Sequence, residues 1–272
     1  MDIEQTIFLG IIQGLTEFLP VSSSGHLVIF QHLIGLRNPE LLLDISLHVG
    51  TLLAVLIFFR GEITAMITES IGFARRVFRE KKPIGETQQA PHAALTFWIL
   101  VGTIPTTLLG AIFNLFFQKM FASTFLVGFM LMVTGAILGA SRFIPDYSTK
   151  RRGVDFISAI AVGLAQGAAI IPGISRSGAT IVCGLFCGLN RDMAGRFSFL
   201  LAIPAIIGAS VLKLDMVEMA EIGFIPLLTG ILVSFSVGLI ALKITMGMLR
   251  KGKLHYFSPY CFLAGIVALF IT

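Results

Sequence analysis

Charge is scarce in this chain: Asp, Glu, Lys and Arg together make up 13% of 272 residues, against roughly 25% in soluble domains. So little charge excludes an ordinary water-soluble globule. Cysteine is equally thin, and Cys183, Cys187 and Cys261 give no disulfide framework. Cys183 and Cys187 share a helical face, but two thiols in an apolar run lack the further ligands a metal needs, so all three read as small core residues. No basic leader precedes the first apolar run; Asp2 and Glu4 stand where Lys or Arg would be expected. The N-terminus is therefore expected to be retained. What the chain has in abundance is apolar surface, 56% hydrophobic residues at a mean hydropathy of +0.91. That composition belongs to an integral membrane protein.

A membrane helix needs about 20 apolar residues. Six segments come close, at about 42–59, 93–117, 123–141, 197–212, 222–247 and 256–272. Two further apolar stretches, about 4–35 and 154–189, are interrupted by Leu19-Pro20 and Pro172-Gly173 followed by Ser/Gly turns. Proline removes a backbone donor and disfavours helix in the residue before it, so neither stretch runs straight through. Each is expected to be a re-entrant pair of half-length helices. Basic clusters at Arg75, Arg76, Arg79, Lys81 and Lys82, at Arg142, Lys150, Arg151 and Arg152, and at Arg250, Lys251 and Lys253 mark three cytoplasmic loops. The loop holding Asp215, Glu218 and Glu221 carries only Lys213 and is expected outside, with both termini. The run RRVFREKK at 75–82 sets topology and meets anionic headgroups; beside membrane spans it is not read as a nucleic-acid site.

The interrupted stretches are copies of each other. GIIQGLTEFLPVSSSGHL at 10–27 aligns without a gap on GLAQGAAIIPGISRSGAT at 163–180, and Gly10, Gln13, Gly14, Ser22, Ser24 and Gly25 match Gly163, Gln166, Gly167, Ser175, Ser177 and Gly178. An odd number of spans follows each copy, so the second enters from the opposite face. The expected fold is thus an all-α polytopic membrane protein with an inverted-topology repeat, about six transmembrane helices plus two re-entrant helical hairpins. It forms a single integral membrane domain over 1–272, repeat one at about 1–145 and repeat two at about 150–272. Irregular backbone at membrane depth is tolerated only in buried or cavity-lining positions, so the two turns are expected to face each other. Two unrelated Gly/Pro kinks are the plainer alternative.

Glu17, His26 and Arg176 are the ionisable residues deepest in the apolar segments, where Arg or Asp costs about 2.5–3.5 kcal/mol on insertion scales. Arg176 stands between Ser175 and Ser177, ahead of Gly178 and a new helix. A guanidinium, two hydroxyls and helix-start N–H groups there suit a phosphate or carboxylate; a structural ion pair with Glu17 is the alternative. Ser22, Ser23, Ser24 and His26 form the other polar turn, and Gln13 and Glu17 share a helix face. They supply a base, a nucleophile and a ligand for a divalent cation. His32, His48, His92 and His255 read as packing or interfacial residues. On these residues alone a transporter or lipid flippase with a midplane anion site ranks first, since broken helices in inverted repeats are what alternating access uses.

The stretches QGLTEFLPVSSSGH and PGISRSGAT, with FSFLLAIP at 197–204, closely resemble the signature regions of the undecaprenyl-diphosphatase (BacA) family, and the similarity runs the full chain. The resemblance implies a bacterial inner-membrane phosphatase, its site towards the periplasm. Such an enzyme hydrolyses undecaprenyl diphosphate to the monophosphate and recycles the carrier for cell-wall synthesis. Bacitracin resistance is implied as well, because bacitracin captures the same diphosphate. The family's acidic motif, Glu or Gln, three residues, then Glu, reads Gln13 to Glu17. The implied Mg2+ or Ca2+ would then rest on Glu17 and the amide oxygen of Gln13. Catalysis is expected from Glu17, His26, Ser23 and Arg176, and phosphate binding from Ser22, Ser24, Ser175, Arg176, Ser177 and Thr180. The nucleophile is left open among Ser23, His26 and water. Glycine-rich spans over 128–139 and 223–238 allow close packing within one chain or between two, leaving a homodimer open.

Overall fold

The computed structural model describes residues 3–35, 41–80, 90–114, 120–121, 123–144, 153–212 and 223–270. The acidic loop around Asp215 to Glu221, together with Lys81, Lys82, Lys150, Arg151 and Arg152, lies outside the described residues. Apolar sequence gives helices throughout the described residues: α1 Ile3–Phe18, α2 Ser23–Leu33, α3 Leu41–Phe58, α4 Arg60–Glu80, α5 Pro91–Asn114, α6 Thr124–Ala140, α7 Phe156–Ala168, α8 Arg176–Phe186, α9 Arg191–Leu212, α10 Phe224–Arg250 and α11 Ser258–Phe270.

Both interrupted stretches break where proline and glycine stand. The pairs α1/α2 and α7/α8 are half-length helices, and α5, α6, α9 and α10 are each long and apolar enough to cross a membrane. The helix α11 has 13 residues, and it follows a short 3-10 turn, Leu254–Phe257. The segment after α3, expected as a loop, is instead the 21-residue α4, bent 74° from α3. Ile63 and Met66 press one of its faces onto the core, while Ile67, Ile71 and Arg75 lie outward. This amphipathic helix lies across the end of the spans instead of extending α3. Glu69 straps it to α5, accepting the His92 and Ala93 backbone N–H at 2.8 and 3.2 Å.

The halves are interwoven. α1 packs along α10, and α7, its counterpart in the second copy, packs along α5; α6 packs on α11 and α3 on α9. The repeated glycines make the close approaches. A methyl group on Gly163 would run into the Gly102 carbonyl, and one on Gly14 would come within 2.9 Å of the Ser234 carbonyl. The tips interlock reciprocally: Gly25 abuts Gly173 while Gly178 abuts Pro20, and both members of one contact match those of the other at the repeat offset. Such self-complementary contacts are what a two-fold relation between the halves requires.

The hairpins open to opposite ends. Leu185 and Phe186, at the end of α8, line a cavity with Phe143, Arg191 and Gly252, and Arg191 donates to the Arg250 carbonyl, so α8 ends where Arg142, Arg191, Arg250 and Lys251 gather. At the other end, Thr6 near the start of α1 meets Gly230 near the start of α10, and Leu43 and Leu47 cluster with Leu9 and Leu227.

Candidate active site

Each turn ends in a serine that starts the next helix. Ser22 caps α2, accepting the Gly25 N–H at 3.3 Å, and Ser175 caps α8, accepting the Gly178 N–H at 3.1 Å. The serine two residues on touches the cap in both copies, Ser22 to Ser24 at 3.4 Å and Ser175 to Ser177 at 3.3 Å. The shared serines and glycines thus build two helix starts with the same capping hydrogen bonds, although the Ser22 backbone has φ 71° where that of Ser175 has φ −75°. Each turn is also held by the other half. Thr134 of α6 donates to the Gly173 carbonyl at 2.8 Å and accepts the Ser175 N–H at 2.9 Å. From α11, the Cys261 thiol points at the Pro20 carbonyl at 3.7 Å. Pro20 and Gly173 are equivalent positions, so the same carbonyl is capped in both copies.

The residues that differ between the copies meet. Ser23 and Arg176 are equivalent in the alignment, and both reach Glu17. The Ser23 hydroxyl donates to Oε2 at 2.6 Å, and the Arg176 guanidinium donates to Oε1. The Gln13 amide adds a donation to Oε2 at 2.9 Å. The Glu17 side chain is 3% exposed and that of Arg176 23%, so the cluster is reached from the arginine side. A buried carboxylate survives only when paired and hydrogen-bonded, and here four groups converge on it.

The fourth was not expected. His48 of α3 places Nε2 3.7 Å from Glu17 Oε2, with Nδ1 on the Asp44 carbonyl at 2.7 Å, so it belongs to the site and not to the interface. No sequence signal marks it: it has no partner in the repeat and lies in an unbroken span.

His26 stands apart from the Glu17 cluster. Its Nδ1 bonds the Ser22 carbonyl at 2.8 Å and its Nε2 bonds the hydroxyl of Tyr260, on α11, at 2.8 Å. A carbonyl only accepts, so Nδ1 carries the hydrogen, and in the neutral ring Nε2 accepts the phenol O–H. Ser22 itself has φ 71°, the one non-glycine residue at positive φ among the described residues. Such a conformation costs about 1–3 kcal/mol and persists where the surroundings over-determine it. Thr180 is fully buried; its hydroxyl donates to the Arg176 carbonyl at 2.7 Å and pairs with Ser198 at 2.5 Å. That hydroxyl steadies the start of α8 from behind.

For a divalent cation the donor set is small. No group of three His, Cys, Asp or Glu side chains converges among the described residues. The Gln13 Oε1 atom is buried beside Glu17 without a hydrogen-bond partner. One carboxylate and one spare amide oxygen fit a hard cation that takes its remaining ligands from phosphate and water.

Comparison with known proteins agrees across the chain. Residues 6–267 match the family described as bacitracin resistance protein BacA. A protein of Desulfatibacillum aliphaticivorans named undecaprenyl-diphosphatase is 46% identical over 272 residues, covering 97% of this chain and 97% of its own length. One of the same name from Halothermothrix orenii is 42% identical over 275 residues, 100% of this chain and 99% of its own. Another, from Methanosphaera stadtmanae, is 36% identical and covers 100% of this chain.

Proposed function

The chain belongs to the bacitracin resistance protein BacA family, and from that premise we propose that its paired turns hydrolyse undecaprenyl diphosphate to undecaprenyl phosphate and inorganic phosphate. The observation that carries the reading is the Ser23 hydroxyl donating to Glu17 Oε2 at 2.6 Å. A transporter needs an anion grip but no hydroxyl held against a buried carboxylate; a hydrolase that works through a nucleophile needs both.

In the first step Ser23 Oγ attacks the terminal phosphorus, its proton passes to Glu17 Oε2, and the bond from phosphorus to the bridging oxygen breaks, releasing undecaprenyl phosphate. In the second, water attacks the phosphoserine. Ser23 Oγ leaves and recovers a proton from Glu17, and inorganic phosphate departs. Phosphoryl transfer spreads charge over the equatorial oxygens, so most of the catalysis is positioning and electrostatics. Arg176 supplies the fork, with Ser175, Ser177 and the first N–H groups of α8 beside it in the chain; Ser22 and Ser24 would complete the grip from the other copy. Arriving phosphate draws the guanidinium off Glu17, freeing the carboxylate to take a proton. Both ring nitrogens of His26 are engaged, which favours Ser23 over a phosphohistidine. Mg2+ or Ca2+, held by Glu17 and Gln13 Oε1, would neutralise charge on the phosphates.

The protein is a multi-pass membrane protein. We place it in the bacterial inner membrane, with its basic end cytoplasmic and the phosphates entering from the periplasm. Removing the diphosphate takes away what bacitracin captures, and a homodimer through the glycine-bearing faces is compatible with this arrangement. Purified protein in detergent with undecaprenyl diphosphate and Mg2+ should release phosphate. Ser23→Ala and Glu17→Gln should each lose at least about 100-fold in kcat, the scale of a removed base. Full turnover in either variant overturns the assignment.

A further inference from the structure

We infer that Tyr260 is a positioning residue for this hydrolysis, setting Ser23 for attack through His26 and the Ser22 peptide. The inference rests on the serine reading above and adds a residue from the far end of the chain. Tyr260 lies 234 positions from His26, yet its hydroxyl meets Nε2 at 2.8 Å, and the two rings lie within 7° of parallel with centroids 5.7 Å apart. On the other edge of the imidazole, Nδ1–H holds the Ser22 carbonyl, which also accepts the His26 backbone N–H at 3.2 Å. Ser22 is the residue at positive φ, and its peptide carries Ser23. The chain of contacts therefore runs from α11 through the imidazole to the peptide that aims the nucleophile.

Three features argue that this chain sets geometry and is more than packing. The Ser22 carbonyl fixes the His26 tautomer that carries Nδ1–H, and the Tyr260 hydroxyl, donating to the Nε2 lone pair left over, anchors the ring in the orientation that keeps that bond. The peptide it holds follows a residue at positive φ, a conformation that residues other than glycine rarely adopt. The neighbouring residue, Cys261, points at the Pro20 carbonyl from the same helix turn, so α11 grips the turn on both sides of Ser22. Tyr260 does not touch Glu17 or Ser23 in this arrangement; its effect reaches them only through His26.

Tyr260→Phe removes the hydroxyl and leaves the stacked ring. It should lower kcat by about 10- to 100-fold, the size of effect a small misplacement of reacting groups produces, while KM for undecaprenyl diphosphate stays within about two-fold and the thermal midpoint in detergent falls only by what one stranded buried acceptor costs. His26→Asn keeps an N–H near the Nδ1 position and has nothing at Nε2, so adding Tyr260→Phe to it should cost nothing further. Single-turnover phosphate release with enzyme in excess reads even slow variants. Undiminished kcat in Tyr260→Phe, a loss confined to KM, or two losses that multiply in the double variant would overturn the inference. Full activity in Ser23→Ala is a different result, because it removes the serine reading itself.

Discussion

Ser23 and Arg176 occupy one position of a duplicated turn, and the duplication brings both to opposite oxygens of Glu17. A buried ion pair of this kind is poor evidence of stability, since desolvation offsets most of its Coulomb gain, but breaking it from one side strands a charge. Arg176→Ala should therefore destabilise the protein by several kcal/mol, towards the lower end of the roughly 3–5 kcal/mol seen for fully buried pairs because the guanidinium is partly exposed. Glu17→Gln combined with Arg176→Met should restore the thermal midpoint to the wild-type value or above while remaining inactive. Thermal unfolding in detergent beside phosphate release checks both halves; a double variant no more stable than Arg176→Ala would mean that the pair is a net support. Glu17, His26 and Arg176 stood out in the sequence because two copies of one motif exposed what each had gained; the structure pairs Glu17 with Arg176 and sets His26 apart on Tyr260. His48 and Tyr260 were not legible there, since a lone histidine or tyrosine in an apolar helix looks like packing until tertiary structure places it.

The broken helices followed from their prolines and glycines, whereas α4 did not follow from its charges. The run Arg75 to Lys82 reads as a loop when cations are counted for topology; the structure continues the helix through Glu80, and the Ile63 and Met66 face that anchors it is visible only once it has a core to pack on. α4 is held to α5 by Glu69, whose carboxylate accepts the backbone N–H groups of His92 and Ala93 and meets the His92 ring at 2.7 Å. Desolvation raises the pKa of that carboxyl, and the hydrogen bonds from His92 and Ala93 more than reverse it, leaving it below the usual carboxylate value. A lowered folded-state pKa contributes stability that is fully present above the unfolded value and is lost as pH falls through the folded one. The strap should thus hold constant from neutral pH down to the ordinary carboxylate range and loosen below it. Hydrogen exchange of the first turn of α5, followed from pH 7 to pH 3 and corrected for intrinsic rates, should show protection falling only at the acid end. In Glu69→Gln the protection should be lower and flat with pH; a wild-type-like acid loss there would assign the titration to another group.

Across the whole molecule the largest packing surfaces join the halves. α1 lies on α10, α5 on α7, α6 on α11, and α3 on both α10 and α9, while each turn is capped by a helix of the opposite half. Opposing entry of the two hairpins could be argued from counting spans, but this exchange could not, because apolar faces of similar composition do not name their partners. An inverted repeat assembled this way has no half that buries its own hairpin. Each isolated half would leave unpaired turn carbonyls and either Glu17 or Arg176 without its counter-charge at membrane depth, where such groups are costly. Dividing the chain after Tyr147, in the segment between α6 and α7, should therefore give fragments that fail to accumulate when expressed singly. Expressed together they should co-purify and release phosphate from undecaprenyl diphosphate, since the cut removes only the covalent link and leaves the surfaces that join the halves. A tag on one fragment reads the association and the phosphate assay reads the assembled site. Stable accumulation of the first fragment alone, with its hairpin protected from proteolysis, would show that the hairpin finds its packing within its own half and would overturn the exchanged assembly as the source of the fold.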